Sequence, residues 1–594
     1  MHIDRNQVIG LFLIFSILTI YSHIFLPGRS TQSTVTPAQQ EQPSKKATKI
    51  ASPGLTPQYG VLSPTTQGIE RELILENEVM KVTLSSLGGT VKQVILKQYK
   101  DHQGDPLVLL DTHSSHMGFQ WGHSTTSLNT RTLFFEVADQ KQRASDTDTA
   151  QITFMVSVGD GRYIKQTYAL PSKGYTLTNT WQMVGVGGAF GDAPLQFVWR
   201  NHIKRVEKDI EACRSRTTVN YYLADHTFSA LSERVDKAQE QLLHYPVQWV
   251  GIKQRFFTAA VITDTPFAGG YLATKPPQES SSTVKEAQVR LTLPNTDASE
   301  DRKGQFTFYF GPNEHRALST VAPGFTKNIP LGWPVIRWIN QFMILPLFSF
   351  LELYISNYGI IIIVLVFVIK VLLFPLSYKS YMAMAKMRVL QPEFEKIKAK
   401  CSGDVQRIQM EQVKFYQDMG VNPMSGCVPV LLQMPILLAM FNFFPNAIAL
   451  RQQAFLWASD LSTYDVILQL PFRIPAYGSH VSLFTLLMTA STILYARSNN
   501  QMSTATTPQE EALKMVTYLM PFTFMFILNS LPAGLSFYYF ISNLVTFGQQ
   551  CLIKYFFNEN VLREQLQQRK GKRKDPKKPR AQVRLEAAKQ RRKK

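Results

Sequence analysis

Residues 358–376 read YGIIIIVLVFVIKVLLFPL, a run of 19 residues that is apolar throughout except for one lysine. As a helix rising about 1.5 Å per residue it approaches the roughly 30 Å depth of bilayer hydrocarbon. Further apolar runs lie at 8–26, 427–445, about 479–496, 515–531 and 534–553. The chain therefore reads as a polytopic α-helical membrane core with six transmembrane helices. Several runs are short for a full crossing, which points to local thinning or tilted packing. Whole-chain averages conceal this, because 45% hydrophobic residues and a mean hydropathy of −0.09 over 594 residues resemble a soluble protein. The concentration of the apolar residues excludes a wholly soluble one.

Working outward, residues 1–28 read as an N-terminal transmembrane anchor. Leu26-Pro27-Gly28-Arg29 is a poor cleavage site, so the anchor reads as uncleaved, a removed signal peptide being the alternative. Residues 29–66, rich in Ser, Thr, Pro and Gln, form a linker. Between 67 and 325 the pattern changes to alternating segments such as Ile152-Thr153-Phe154-Met155-Val156 and Phe306-Thr307-Phe308-Tyr309-Phe310. Turn residues punctuate them, and the combination predicts an all-β sandwich. Residues 330–347 carry Trp333, Pro334 and Trp338 and one charge, Arg337. That composition suits an amphipathic helix lying in the membrane interface, a core helix of the sandwich being the other reading.

Residues 377–426 hold eight basic residues and five acids. Met387, Leu390, Phe394 and Ile397 follow helical spacing, Ser402-Gly403-Asp404 breaks it, and Val405, Ile408, Gln412, Phe415 and Met419 resume it. This predicts an antiparallel helical hairpin of about 20 residues per arm. Transmembrane helices 3 to 6 then occupy 427–557. Of the net charge of +20, residues 569–594 carry +12, so the segment 558–594 is a separate basic tail. The loop at 446–478 has only Arg451 and Arg473. Positive-inside counting places hairpin, tail and N-terminus in the cytoplasm and the β-domain outside. Cys213 is the only cysteine in the β-region, so no disulfide forms within it.

Catalytic chemistry finds no foothold. The spans contain no Asp or Glu, no zinc motif and no phosphate-cradling glycine loop. A non-enzymatic protein without cofactor, metal or small-molecule substrate is the expectation. Lys370 stands out as the ionisable residue well inside a span, six positions from Leu376 and so about 9 Å from the inner boundary. Two readings compete: a lysine snorkelling to the interface, or a cation facing a wet inward cavity. The second is favoured by polar residues in other spans, namely Gln433, Tyr538, Tyr539, Ser542, Asn543, Thr546 and Gln549. Each of these alone is equally explained by helix–helix hydrogen bonding. The tail suits either RNA or anionic lipid headgroups. A transporter would call for inverted repeats and paired intramembrane charges, and neither occurs; a purely structural assembly factor with anchoring spans is a further alternative.

Four motifs carry a resemblance. They are Ala385-Lys386-Met387-Arg388-Val389-Leu390-Gln391-Pro392, the run from Asn422-Pro423-Met424-Ser425-Gly426-Cys427 to Gln433-Met434-Pro435, Leu456-Trp457-Ala458-Ser459-Asp460-Leu461-Ser462, and Gly534-Leu535-Ser536-Phe537-Tyr538-Tyr539 through Thr546. In order and spacing they resemble the YidC family of membrane protein insertases, in its long form with a large periplasmic domain. The resemblance implies a multi-pass protein of the bacterial inner membrane that inserts and folds nascent membrane proteins, alone or with the Sec translocon. The charge of the basic tail makes the ribosome an expected partner, and membrane lipids are another. The resemblance also implies a polar groove open to cytoplasm and lipid, whose cation attracts acidic substrate segments. That role falls on Lys370, where the family typically has arginine. Gln433, Met434, Pro435, Tyr538, Tyr539 and Asn543 become the rest of the substrate groove. The expected topology is checked by cysteine labelling in a cysteine-free background. Positions near 400 and 575 should react from the cytoplasm and positions near 200 and 455 from outside; a hairpin labelled from outside would refute it.

Overall fold

The alternation along residues 72–312 becomes a set of antiparallel sheets. The computed structural model describes residues 60–121, 128–141, 149–186, 194–233, 237–277, 283–294, 301–400, 405–419, 428–475, 477–500 and 508–556. The anchor at 8–26, most of the linker, the hairpin tip, the motif from Asn422 to Cys427 and the basic tail lie outside them. Two compact units result, divided between Pro330 and Leu331.

In the first unit a nine-stranded sheet centres on Phe257–Phe267, Arg302–Pro312 and Thr176–Val184. A six-stranded sheet runs in the order Gln239–Leu243, Gly269–Lys275, Thr283–Thr292, Leu195–Lys204, Ser115–Trp121, Leu128–Asn129. A third sheet has four strands, from Glu72–Glu76 to Pro106–Leu110. The two larger sheets face one another through aromatic rings. Phe306 lies 5.9 Å from Phe119 and 5.4 Å from Phe197 across the interface, and 6.0 Å from Trp181 on its own side. Along Leu195–Lys204 every second residue from Leu195 to Ile203 is buried, the period of a strand with one face on a core. Gly304 is required here, because a β-carbon on it would meet the Trp181 ring at 2.6 Å.

The second unit is helical. Helix α1 spans Pro334–Glu352 with a π-helical turn at Asn340–Ile344. It is followed by α2 (Tyr358–Leu372), α3 (Phe374–Lys400), α4 (Val405–Asp418), α5 (Val428–Phe443), α6 (Leu483–Asn500), α7 (Pro508–Leu528) and α8 (Ala533–Phe556). Trp333, Val335, Trp338 and Phe342 are exposed along α1 while Ile336, Ile344 and Phe348 are buried. One side of this helix is thus apolar and uncovered.

Several expected spans change shape. Among the described residues only α1 is by itself long and apolar enough to cross a membrane. The run 358–376 does not form one rod: α2 has 15 residues, about 22 Å, and the chain bends by 61° before α3. Pro375 explains this, since it has no N–H to donate back to the preceding turn and its ring crowds the residue before it. The helix of the fourth run begins only at Leu483, because Gly478–Val481 pairs as a strand with Leu468–Ile474. The hairpin arms are unequal, with 27 residues in α3 and 14 in α4. Leu390 and Met419 are buried together, as are Phe394 and Ile408, and Tyr416 joins them without having been anticipated.

Candidate functional site

The face that α2 turns inward decides what surrounds its lysine. Ile361, Ile362, Leu365, Val366, Ile369 and Lys370 are buried, whereas Phe367, Val368, Val371 and Leu372 are exposed. Lys370 therefore sits on the packed face of the helix, only 7% exposed, and not on its outer face. Helix α8 packs against that face. The Gln549 amide of α8 donates to the Lys370 carbonyl at 3.2 Å, fixing the two helices beside the cation. No carboxylate among the described residues pairs with its ammonium group. A buried cation without a counter-ion is costly.

The remaining expected residues distribute over α5 and α8. Tyr538 is buried with its ring 5.6 Å from Phe444, and Tyr539 lies 5.8 Å from Phe441 while donating its hydroxyl to the Leu437 carbonyl at 3.2 Å. The two tyrosine rings are 5.5 Å apart. Met434 is 43% exposed, and Gln433 and Pro435 are half-buried beside it. Asn543 is committed elsewhere: its amide donates to Ser491 Oγ at 3.0 Å and Thr492 Oγ1 at 2.8 Å on α6. Thr546 likewise donates to the Ser542 carbonyl at 2.7 Å. Asn543 and Thr546 thus serve helix geometry, whichever other role they have. Among the described residues, no side-chain hydrogen bond joins any two of the seven expected site residues.

A polar network that sequence reasoning missed joins the ends of three helices. Asp465 is 4% exposed. Its Oδ2 accepts from Trp457 Nε1 at 2.9 Å, from Leu483 N at 2.8 Å and from Phe484 N at 3.1 Å; its Oδ1 accepts from the Ser482 hydroxyl. It thus caps α6 from a preceding loop. Ser482 N donates to Asn529 Oδ1 at 3.0 Å, and the Asn529 amide donates to the carbonyls of Tyr477 and His480 at 3.0 and 2.8 Å. Gly534 N and Ala533 N, opening α8, donate to Leu461 O and Thr463 O at 2.9 and 2.7 Å. The one local signal was a pair of acids, Asp460 and Asp465, in a loop otherwise poor in charge.

A β-sheet domain followed by a helical unit with a helix long and apolar enough to cross a membrane, a basic hairpin and a buried lysine with no carboxylate partner among the described residues is the makeup of a membrane protein. Residues 350–560 match the family described as 60Kd inner membrane protein, and residues 72–346 match the YidC periplasmic domain. The chain is 53% identical to the membrane protein insertase YidC of Amoebophilus asiaticus, over 96% of this chain and 95% of the relative. It is 41% identical to that of Cytophaga hutchinsonii and 33% identical to that of Parabacteroides distasonis, each over 98% of this chain and 97% of the relative. The chain belongs to the YidC family of membrane protein insertases. Its work is the insertion of membrane proteins, and its β-sheet domain is periplasmic.

The Asp465 network yields a stability prediction. Asp465→Ala strands four donors and should lower the stability of the helical unit by about 3 kcal/mol. Asp465→Asn, retaining one acceptor oxygen, should lie between it and the native protein. Thermal melts of the full chain in detergent measure this; an Asp465→Ala melt equal to the native one would refute the capping role.

Proposed function

We propose that insertion proceeds along a polar groove bounded by α2, α5 and α8, with Lys370 as the charge that receives the acidic part of a nascent segment. The observation that carries this reading is the burial of Lys370 on the packed face of α2 with no carboxylate beside it among the described residues. A snorkelling lysine would occupy the exposed face with Phe367 and Val371. In a groove of reduced dielectric, a cation lowers the cost of bringing an acidic group into the slab. One cation, not several, keeps the attraction reversible, so that the segment can leave into lipid. Lysine supplies the charge as a point donor and lacks the planar fork of arginine.

Met434, Pro435, Tyr538 and Tyr539 form the apolar slide along which the segment moves. The exposure of Met434 and the packing of both tyrosines against the Leu437–Phe444 stretch support that assignment. Gln433 lies at the polar margin, and Asn543 holds α8 to α6. The core has six transmembrane helices, those at 8–26, α2, α5, α6, α7 and α8, with both termini and the α3–α4 hairpin cytoplasmic and the β-sandwich periplasmic. Helix α1, with its exposed tryptophans, rests in the outer interface. The Sec translocon is the partner for complex substrates, and the tail recruits ribosomes.

Lys370→Arg should retain insertion of single-span substrates with acidic N-termini. Lys370→Ala and Lys370→Glu should slow it by about tenfold or more, equivalent to about 1.4 kcal/mol of barrier. Substrates without negative charge in the translocated segment should suffer less. Normal insertion of acidic substrates by folded Lys370→Glu protein would remove the charge mechanism. For the tail, deletion of 569–594 should weaken ribosome co-sedimentation at low salt, with the difference shrinking as salt rises; equal sedimentation of both forms at low salt would exclude that role.

A further inference from the structure

The outward face of the six-stranded sheet gathers positive charge from three adjacent segments. Strand register places His116 opposite Arg200, and Gln288 on the other flank of Arg200. Two residues further along the same face, Gly118 lies opposite Val198 and Val198 opposite Arg290. Gly118 has a purpose on this face. A β-carbon there would meet Arg131 Cγ at 2.8 Å, so the absent side chain lets the arginine stem lie flat across the strand. Arg131 is half-buried, His116 is half-buried and Arg200 is exposed.

Acids do not balance them. Glu286 is taken by His202 at 3.4 Å and Asp111 by Lys204. Neither Arg131 nor Arg200 pairs with a carboxylate among the described residues. Burial, then the charges of Arg131, His202, His113 and Arg200, holds the His116 ring below the usual imidazole range. Burial, then Arg200, likewise lowers Arg131. Burial is the larger cause of each shift and repulsion among these cations the smaller, and a bound anion relieves the second.

We propose that this face holds a phosphate group between the guanidinium groups of Arg131 and Arg200, beside the His116 imidazole. Two forked donors and a ring nitrogen match a group with three free oxygens and up to two charges, whereas a single carboxylate satisfies one fork. The group reaches the site on a soluble phosphate ester or on a phospholipid headgroup, since the chemistry recognised is shared. The site belongs to the β-sheet unit, so its loss leaves the insertion reading untouched.

Calorimetric titration of the full-length protein in maltoside detergent tests this with two probes, inorganic phosphate and short-chain phosphatidylglycerol below its micelle concentration. Saturable binding is expected. Arg200→Gln and Arg131→Gln should each weaken it by about tenfold or more, and Lys173→Gln, on a loop outside this sheet, should not. Arg200 is exposed, so its variant is expected to fold even where removal of the Arg131 stem disturbs packing. Binding of phosphate alone assigns a soluble ester; binding of the lipid, with or without phosphate, assigns a headgroup. Absence of saturable binding by both probes, native affinity in Arg200→Gln, or tighter binding of a tetraglutamate peptide than of either probe would overturn the proposal.

Discussion

A carboxylate withdrawn from water must be surrounded by donors, and Asp465 meets that demand by drawing together segments far apart in the chain. The indole of Trp457, the first amides of α6 and the Ser482 hydroxyl all converge on it. Through Ser482 and Asn529 the same network reaches the end of α7, and backbone bonds from Leu461 and Thr463 hold the start of α8. Three helices are therefore joined at one end by polar contacts, and α6 and α8 are tied again along their length by Asn543 to Ser491 and Thr492 and by Gln550 Nε2 to Tyr495 Oη at 3.4 Å.

The same unit separates two kinds of polar group. Asn543 and Thr546 spend their donors on neighbouring helices and backbone, as polar residues in apolar surroundings commonly do. Lys370 does not. Its carbonyl is braced by Gln549, but its ammonium group is left without a carboxylate among the described residues.

Much of this architecture was legible in the sequence where a period repeats. Alternation along Ile152-Thr153-Phe154-Met155-Val156 puts Ile152, Phe154 and Val156 on one face, and all three are buried; the 3–4 spacing of Leu390 and Phe394 names the face that meets Ile408 and Met419. Position along the helix was less legible: Lys370 counts six positions from the end of its apolar run, but α2 ends at Leu372, two residues on. Facing was not legible: nearly every position from Ile360 to Leu373 is apolar, so no period marks which side is packed. The break after Leu372 depended on Pro375, which a hydropathy run absorbs unnoticed. Asp465 was out of reach for another reason. Asn529, which shares Ser482 with it, lies 64 positions further on, and no local pattern encodes a contact made by tertiary folding.

The bend between α2 and α3 has a mechanical consequence. Helix α3 has 27 residues and so is about 40 Å long, pivoting at a point where the hydrogen-bond ladder is interrupted by Pro375. A rotation of about 10° at that pivot sweeps its far end through about 7 Å. Helix α3 is thus a long arm on a short hinge: a load at its far end exerts its greatest torque a few residues from Lys370, and a small rotation there becomes a large excursion at Lys400.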